Sequence, residues 1–190
     1  MNMDTHYRLL ARSATLHCLT GCAIGEILGL IIGTMAGFDT LSTIILAIGL
    51  SFVFGYGLSA LPLVQSGLTL AVALSTVLAA DTLSIATMEL VDNTVMATIP
   101  GGMNAGLANP IFWVGMVISL TAAFFAAYPV NLYLLKRGKG HALMHEHHAH
   151  SSEDHAQHAS SPTTSFLLVG ILSFIAGGLL VAVEVTTDLF

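Results

Sequence analysis

Five stretches of this chain are apolar for long enough to cross a lipid bilayer, and they leave room for few other architectures. A helical span needs about 20 residues. Apolar runs of that order occupy residues 14–37, 40–63, 110–135 and 163–187, with a longer one at 66–99. The chain is 55% hydrophobic and 8% charged, whereas soluble domains carry roughly a quarter charged residues. The pattern predicts an all-α, polytopic membrane helix bundle of five transmembrane spans. It divides into a four-helix membrane unit at 1–135, a His-rich loop at 136–162 and a C-terminal transmembrane helix at 163–190. The apolar run after the short charged start is too long for a signal-peptide core, so it reads as a retained span. A helix over all of 66–99 would reach about 50 Å against a hydrocarbon core of about 30 Å. The shift in composition at Thr87 therefore predicts a third span followed by an interfacial or re-entrant tail. PGGMNAGLANP (100–110) then reads as a turn, with a helix start at Asn109-Pro110.

All five basic residues, Arg8, Arg12, Lys136, Arg137 and Lys139, flank the spans. With five spans they share one side, which the positive-inside rule makes cytoplasmic. The expectation is a multi-pass protein of the cell inner membrane, with the N-terminus and the His-rich loop cytoplasmic and the C-terminus outside. Asp39, Asp92 and Asp188 then lie towards the outside. So few basic residues offer no face for nucleic acid.

The first span carries Gly21, Gly25, Gly29, Gly33 and Gly37, a repeat of every fourth residue. Such a stripe lets another backbone come close. Packing within the chain is the leading expectation, against rows such as Ser51, Gly55 and Ser59 or Gly115, Ser119 and Ala123. A homo-oligomer through the ladder is the alternative. Cys18, Cys22 and Glu26 form a neighbouring stripe and should face the helix–helix interior. The two cysteines lie one turn apart on one helix, a geometry that would strain a disulfide.

Glu26, Asp81, Glu89 and Asp92 fall within or beside spans, with Glu184 near the end of the last. An ionised acid near the bilayer centre costs on the order of 3 kcal/mol, and no lysine or arginine lies in a span to offset it. These carboxyls must therefore be protonated, hydrated, bonded to hydroxyls such as Thr82 or Ser84, or bound to a cation. Asp81, Ile85, Met88 and Asp92 share one helical stripe, and Thr82, Glu89, Asn93 and Met96 the next. Glu26, Asp81, Glu89, Asp92 and Asn93 are thus the expected intramembrane site, with Glu26 and Asp81 as carriers and Glu89 and Asp92 as an outer vestibule. His17, Cys18, Cys22, Glu26 and Met88 would add metal ligands, a sulfur–oxygen set suited to copper or zinc. Met88 and Met96 also suit plain core filling. Between the last two spans, His141, His145, His147, His148, His150, His155 and His158 alternate with acids and spacers, a composition that reads as metal-binding or pH-sensing.

Three motifs, HCLTGCAIGE (17–26), AADTLSIATMELVDN (79–93) and YPVNLYLLKRGKGHA (128–142), together resemble the bacterial domain-of-unknown-function family numbered 4396, small polytopic membrane proteins. The resemblance covers about residues 10 to 145. It implies a four-helix unit and, through an association of its members with copper-handling genes, favours copper over nickel. Three functions follow as expectations. The first is a transition-metal transporter or metal-handling membrane protein in contact with the bilayer and a copper or zinc ion. The second is a structural or accessory membrane protein, and the third a thiol redox enzyme using Cys18 and Cys22 with His17 lowering a thiol pKa.

Overall fold

The computed structural model describes residues 3–137 and 162–187, with the backbone alone for 162–168. The described residues form helices α1 (Met3–Ala36), α2 (Thr40–Gln65), α3 (Leu70–Thr98), α4 (Pro110–Lys136) and α5 (Pro162–Thr187), and contain no strand. All five are long and apolar enough to cross a membrane.

α1 starts well before the first apolar run and carries Arg8 and Arg12 on its first turns. Lys136 Nζ lies 3.4 Å from Asp4 Oδ1, tying the end of α4 to the start of α1. Arg137 stacks over the Tyr133 ring, 4.6 Å from its centroid. The basic residues described therefore gather at one end of the bundle.

The glycine ladder is the seam between α1 and α2. A Cβ added at Gly21 would strike the Gly55 backbone, at Gly25 that of Ser51, at Gly29 Ala47 and at Gly33 the Thr43 side chain. Each step of four up α1 meets a step of four back along α2, the signature of an antiparallel pair in constant register. This corrects the alternative of a homo-oligomer through the ladder: α2 of the same chain already fills four of its rungs. Gly37 is not a rung. With φ +70° and open space around it, it ends α1 in a left-handed turn in which Phe38 N–H bonds Gly33 C=O at 2.8 Å.

Asp39 caps α2, accepting bonds from the Ser42 hydroxyl and, at 3.4 Å, the Ser42 N–H. The hydroxyl first, and then the N–H, hold this exposed carboxyl below its ordinary pKa. A depressed native pKa contributes stability above the unfolded value, and that stability is lost as pH falls through the native value. Asp39→Asn should therefore flatten the acid limb of a melting-temperature series below about pH 4. An unchanged limb would remove this role from the cap.

The expected break after Thr87 does not occur, for α3 runs unbroken to Thr98. From Thr87 onward its threonine and asparagine side chains return their hydrogens to the helix itself. Thr87 and Thr94 hydroxyls donate to the Leu83 and Leu90 carbonyls at 2.7 and 2.6 Å, and Asn93 Nδ2 donates to the Glu89 carbonyl at 2.9 Å. A turn at 66–69, with Gly67 at φ +97°, takes up the start of the long apolar run. The remaining helix is about 43 Å long at ~1.5 Å per residue. As expected, α4 opens on Asn109, whose Oδ1 accepts the Ile111 N–H at 3.0 Å, with Pro110 at the first helical position.

α5 lies outside the four-helix unit, against α1 and α4. Gly178 sits so close to the Trp113 indole that a Cβ there would strike the ring. The ring cannot easily swing away, because Trp113 Nε1–H donates to the Leu107 carbonyl at 2.8 Å. Gly178→Leu should weaken the docking of α5 by roughly 1–3 kcal/mol. Trp113 is the sole tryptophan, so its emission should change in this variant; an identical spectrum would count against the contact.

Candidate functional site

A file of polar side chains runs through the interior of the four-helix unit. Nearest the basic end, Asn131 Nδ2 donates to Thr15 Oγ1 at 2.9 Å, and Thr15 passes its own hydrogen to the Ala11 carbonyl at 2.7 Å. One turn along α1, the buried Cys18 thiol faces the hydroxyls of Ser59 and Ser84, with the buried Asp81 carboxyl in the same neighbourhood. Among the described residues, neither of those hydroxyls has a hydrogen-bond partner. A further turn brings Cys22 against Glu89, with the Ser51 hydroxyl between the Glu89 carboxyl and the Cys22 carbonyl, 3.2 Å from the latter. The next turn carries Glu26, whose carboxyl lies beside that of Asp92, with the Ser119 hydroxyl close to Asp92. From Thr15 to Glu26 the file rises about 16 Å along α1.

These contacts follow from local sequence and from the ladder. Small residues facing each other on α1 and α2 bring the backbones together, so the stripe beside the glycines points at α3 and α4. On α3 the buried residues Asp81, Ser84, Ile85, Met88, Glu89, Asp92 and Met96 recur at helical spacing. α4 contributes Ser119, wholly buried, and Asn131.

Above Glu26 the file opens into a cavity of about 310 Å³. Glu26, Glu89 and Asn93 line it together with Leu30, Met96 and Phe112, and Thr34, Thr40, Thr43 and Asn104 stand towards its mouth. The mouth lies at the α1–α2 and α3–α4 turns, the end of the bundle opposite the basic residues. None of its lining residues is basic. Asp92, 5% exposed, keeps Oδ1 without a hydrogen-bond partner among the described residues.

The geometry regroups the sequence-predicted residues. Glu26, Glu89, Asp92 and Cys22 come together, with Asn93 on the cavity wall. Asp92 is no outer vestibule residue but is packed inside, because α4 covers it. Asp81 is no partner of Glu26: it lies about two turns away, beside Cys18. Met88 is fully buried in an apolar cluster with Cys18, Cys22 and Ile85. His17 is half-buried and turned to its own helix, Nδ1–H donating to the Ser13 carbonyl at 2.9 Å. Thr82 is exposed and bonds the Tyr56 hydroxyl at 2.9 Å, and Glu184 is exposed on α5. Cys18 and Cys22 are free thiols. Among the described residues, no three of His, Cys, Asp and Glu are placed to hold a metal ion together. His141, His145, His147, His148, His150, His155 and His158 lie outside the described residues. Sequence reasoning missed Thr15 and Asn131, and took Ser51, Ser59 and Ser119 for packing residues alone. A lone asparagine inside the apolar YPVNLYLL was the available signal.

Fold and interior together define a multi-pass α-helical membrane protein with an acid-lined polar file at its centre. Residues 10–140 match the family described as "Domain of unknown function (DUF4396)". The chain belongs to that family. The match takes in the whole polar file and the cavity, and stops short of α5. No curated protein and no solved structure matches the chain.

Proposed function

We propose that the chain moves a cation across the membrane in exchange for protons, with Glu26 and Asp92 as the carrier pair. One observation carries this reading: the Glu26 carboxyl lines an open cavity with the buried Asp92 carboxyl beside it, and none of the described residues lining that cavity is basic. Two carboxyl groups keep such a contact only with a proton between them. A cation reaching Glu26 from the cavity takes over that role and releases the proton. Glu89 supplies a further carboxyl at the same floor, and Asn93, Thr34 and Thr43 offer oxygens to a partly hydrated ion.

Copper or zinc is the first substrate to test, since the Cys22 thiol beside Glu89 adds a soft donor to these oxygens. In this reading the basic end faces the cytoplasm of a cell whose inner membrane holds the protein, and the cavity faces outward. The histidine-rich segment would then gather or buffer ions at the inner side. Scaffolding and thiol redox chemistry are weaker readings: neither uses the cavity, and both thiols are buried from soluble partners.

The test is a sealed vesicle containing the purified protein and a pH-sensitive dye, to which zinc or reduced copper is added. Proton movement that depends on the ion and on the protein supports the proposal. Vesicles as silent as empty ones, with each ion and at several pH values, would exclude it.

A further inference from the structure

A second feature lies on the other flank of the bundle, where α1, α4 and α5 leave a groove between them. Two cavities of about 350 and 450 Å³ share Arg12, Phe124 and Phe125 as lining residues and so run into one another. The groove starts beside Arg8 at the basic end and reaches Ala23 and Ile175 in mid-bundle. Over that distance α1 rises about 22 Å. One leaflet of a ~30 Å hydrocarbon core needs about 15 Å of this, which leaves the rest for a headgroup.

The two ends of the groove differ in chemistry. Above Arg12 its walls are Leu16, Leu19, Leu120, Phe124 and Ile171. The hydroxyls there are already committed: Thr20 donates to the Leu16 carbonyl at 2.8 Å and Thr121 to the Val117 carbonyl at 2.6 Å. At the mouth, Arg8 and Arg12 stand one helical turn apart, both exposed. No acid among the described residues pairs with either, for Asp4 is engaged by Lys136.

We infer that this groove is a binding site for an anionic phospholipid, with an acyl chain along the apolar walls and the phosphate between the two guanidinium groups. Arginine presents a planar fork of donors that matches phosphate oxygens, and basic pockets between membrane helices hold anionic headgroups. A zwitterionic lipid would fill the walls without meeting the unbalanced charge. Free phosphate would meet the charge without the walls. The site is separate from the acid file and stands whether or not the chain carries ions.

The experiment is thermal melting of the full chain in mild detergent, titrated with phosphatidylglycerol, phosphatidylcholine or inorganic phosphate, with molecular mass followed by light scattering. Phosphatidylglycerol alone should raise the melting temperature. The double variant Arg8→Gln/Arg12→Gln should need roughly thirty-fold more of it, as expected for losing two basic contacts near an anionic headgroup. Thr121→Trp, which fills the groove and spares both arginines, should abolish the response. Arg8→Lys/Arg12→Lys should keep part of it, as positive charge alone attracts the headgroup, and a parental melting temperature without added lipid would show that the glutamine pair folds. Equal stabilisation by phosphatidylcholine or by phosphate would overturn the site. So would a full response in the glutamine pair, or a gain in stability that coincides with doubling of the mass.

Discussion

Vesicles carrying Glu26→Gln are expected to show no ion-driven proton movement above background, while the protein inserts and melts like the parent. Glutamine keeps the shape of the side chain and can still donate to Asp92, so the packing of α1 against α3 is preserved. It cannot release a proton to an incoming cation or carry the negative charge that would hold one. Asp92→Asn should behave in the same way, because each member of the pair is needed for the exchange. Glu89→Gln should weaken transport less, since Glu89 stands at the cavity floor beside Cys22 and not within the pair. Melting temperature reports folding in every variant, so a silent vesicle can be told from a misfolded protein. Transport at the parental rate in both Glu26→Gln and Asp92→Asn would remove the pair from any mechanism.

Gly25→Leu should prevent stable folding. A side chain at this position runs into the backbone nitrogen and Cα of Ser51, and a backbone cannot step aside as a flexible side chain can. Overpacking commonly costs 1–3 kcal/mol, and a collision with the facing helix axis places this variant at about 3 kcal/mol or above. The damage would also reach the site, because Ser51 bridges Cys22 and Glu89. Gly49→Ala and Gly57→Ala are the controls: a Cβ at either meets nothing within 4 Å, and alanine favours helix over glycine by up to about 1 kcal/mol. Size-exclusion profiles and melting curves in detergent decide the matter. A Gly25→Leu protein that elutes and melts like the parent would show that α1 and α2 do not meet as described.

Much of this architecture can be read from the chain alone, for reasons that differ from element to element. Apolar runs of span length reveal themselves because lipid tolerates little else, and the acids stand out against that background. Helical spacing was enough to place Asp81, Glu89 and Asp92 on a buried face of α3. It was not enough to say which of them meets Glu26, since that depends on the height at which α1 passes α3. Ser51, Ser59 and Ser119 share their spacing with the glycines, so small size hid their hydroxyl chemistry until the facing helices were known. Gly37 obeys the same four-residue rhythm as the true rungs, and only its left-handed backbone marks it as a stop. The tail after Thr87 was misjudged for a related reason: polar residues suggest a break, yet threonine and asparagine can return their hydrogens to the preceding turn of the same helix.

The backbone-to-backbone seam between α1 and α2 also restricts how the protein can change shape. Sliding the two helices past each other would bring residues that carry a Cβ to places where the facing backbone leaves room only for Gly21 and Gly25, so the pair should travel as one rigid plank. Any alternation between inward and outward access has to be absorbed where that plank meets α3 and α4. Glu26 stands on one side of that boundary and Asp92 on the other. Prising it apart would separate the two carboxyls, so the same movement that admits water would also decide which of them keeps the hydrogen.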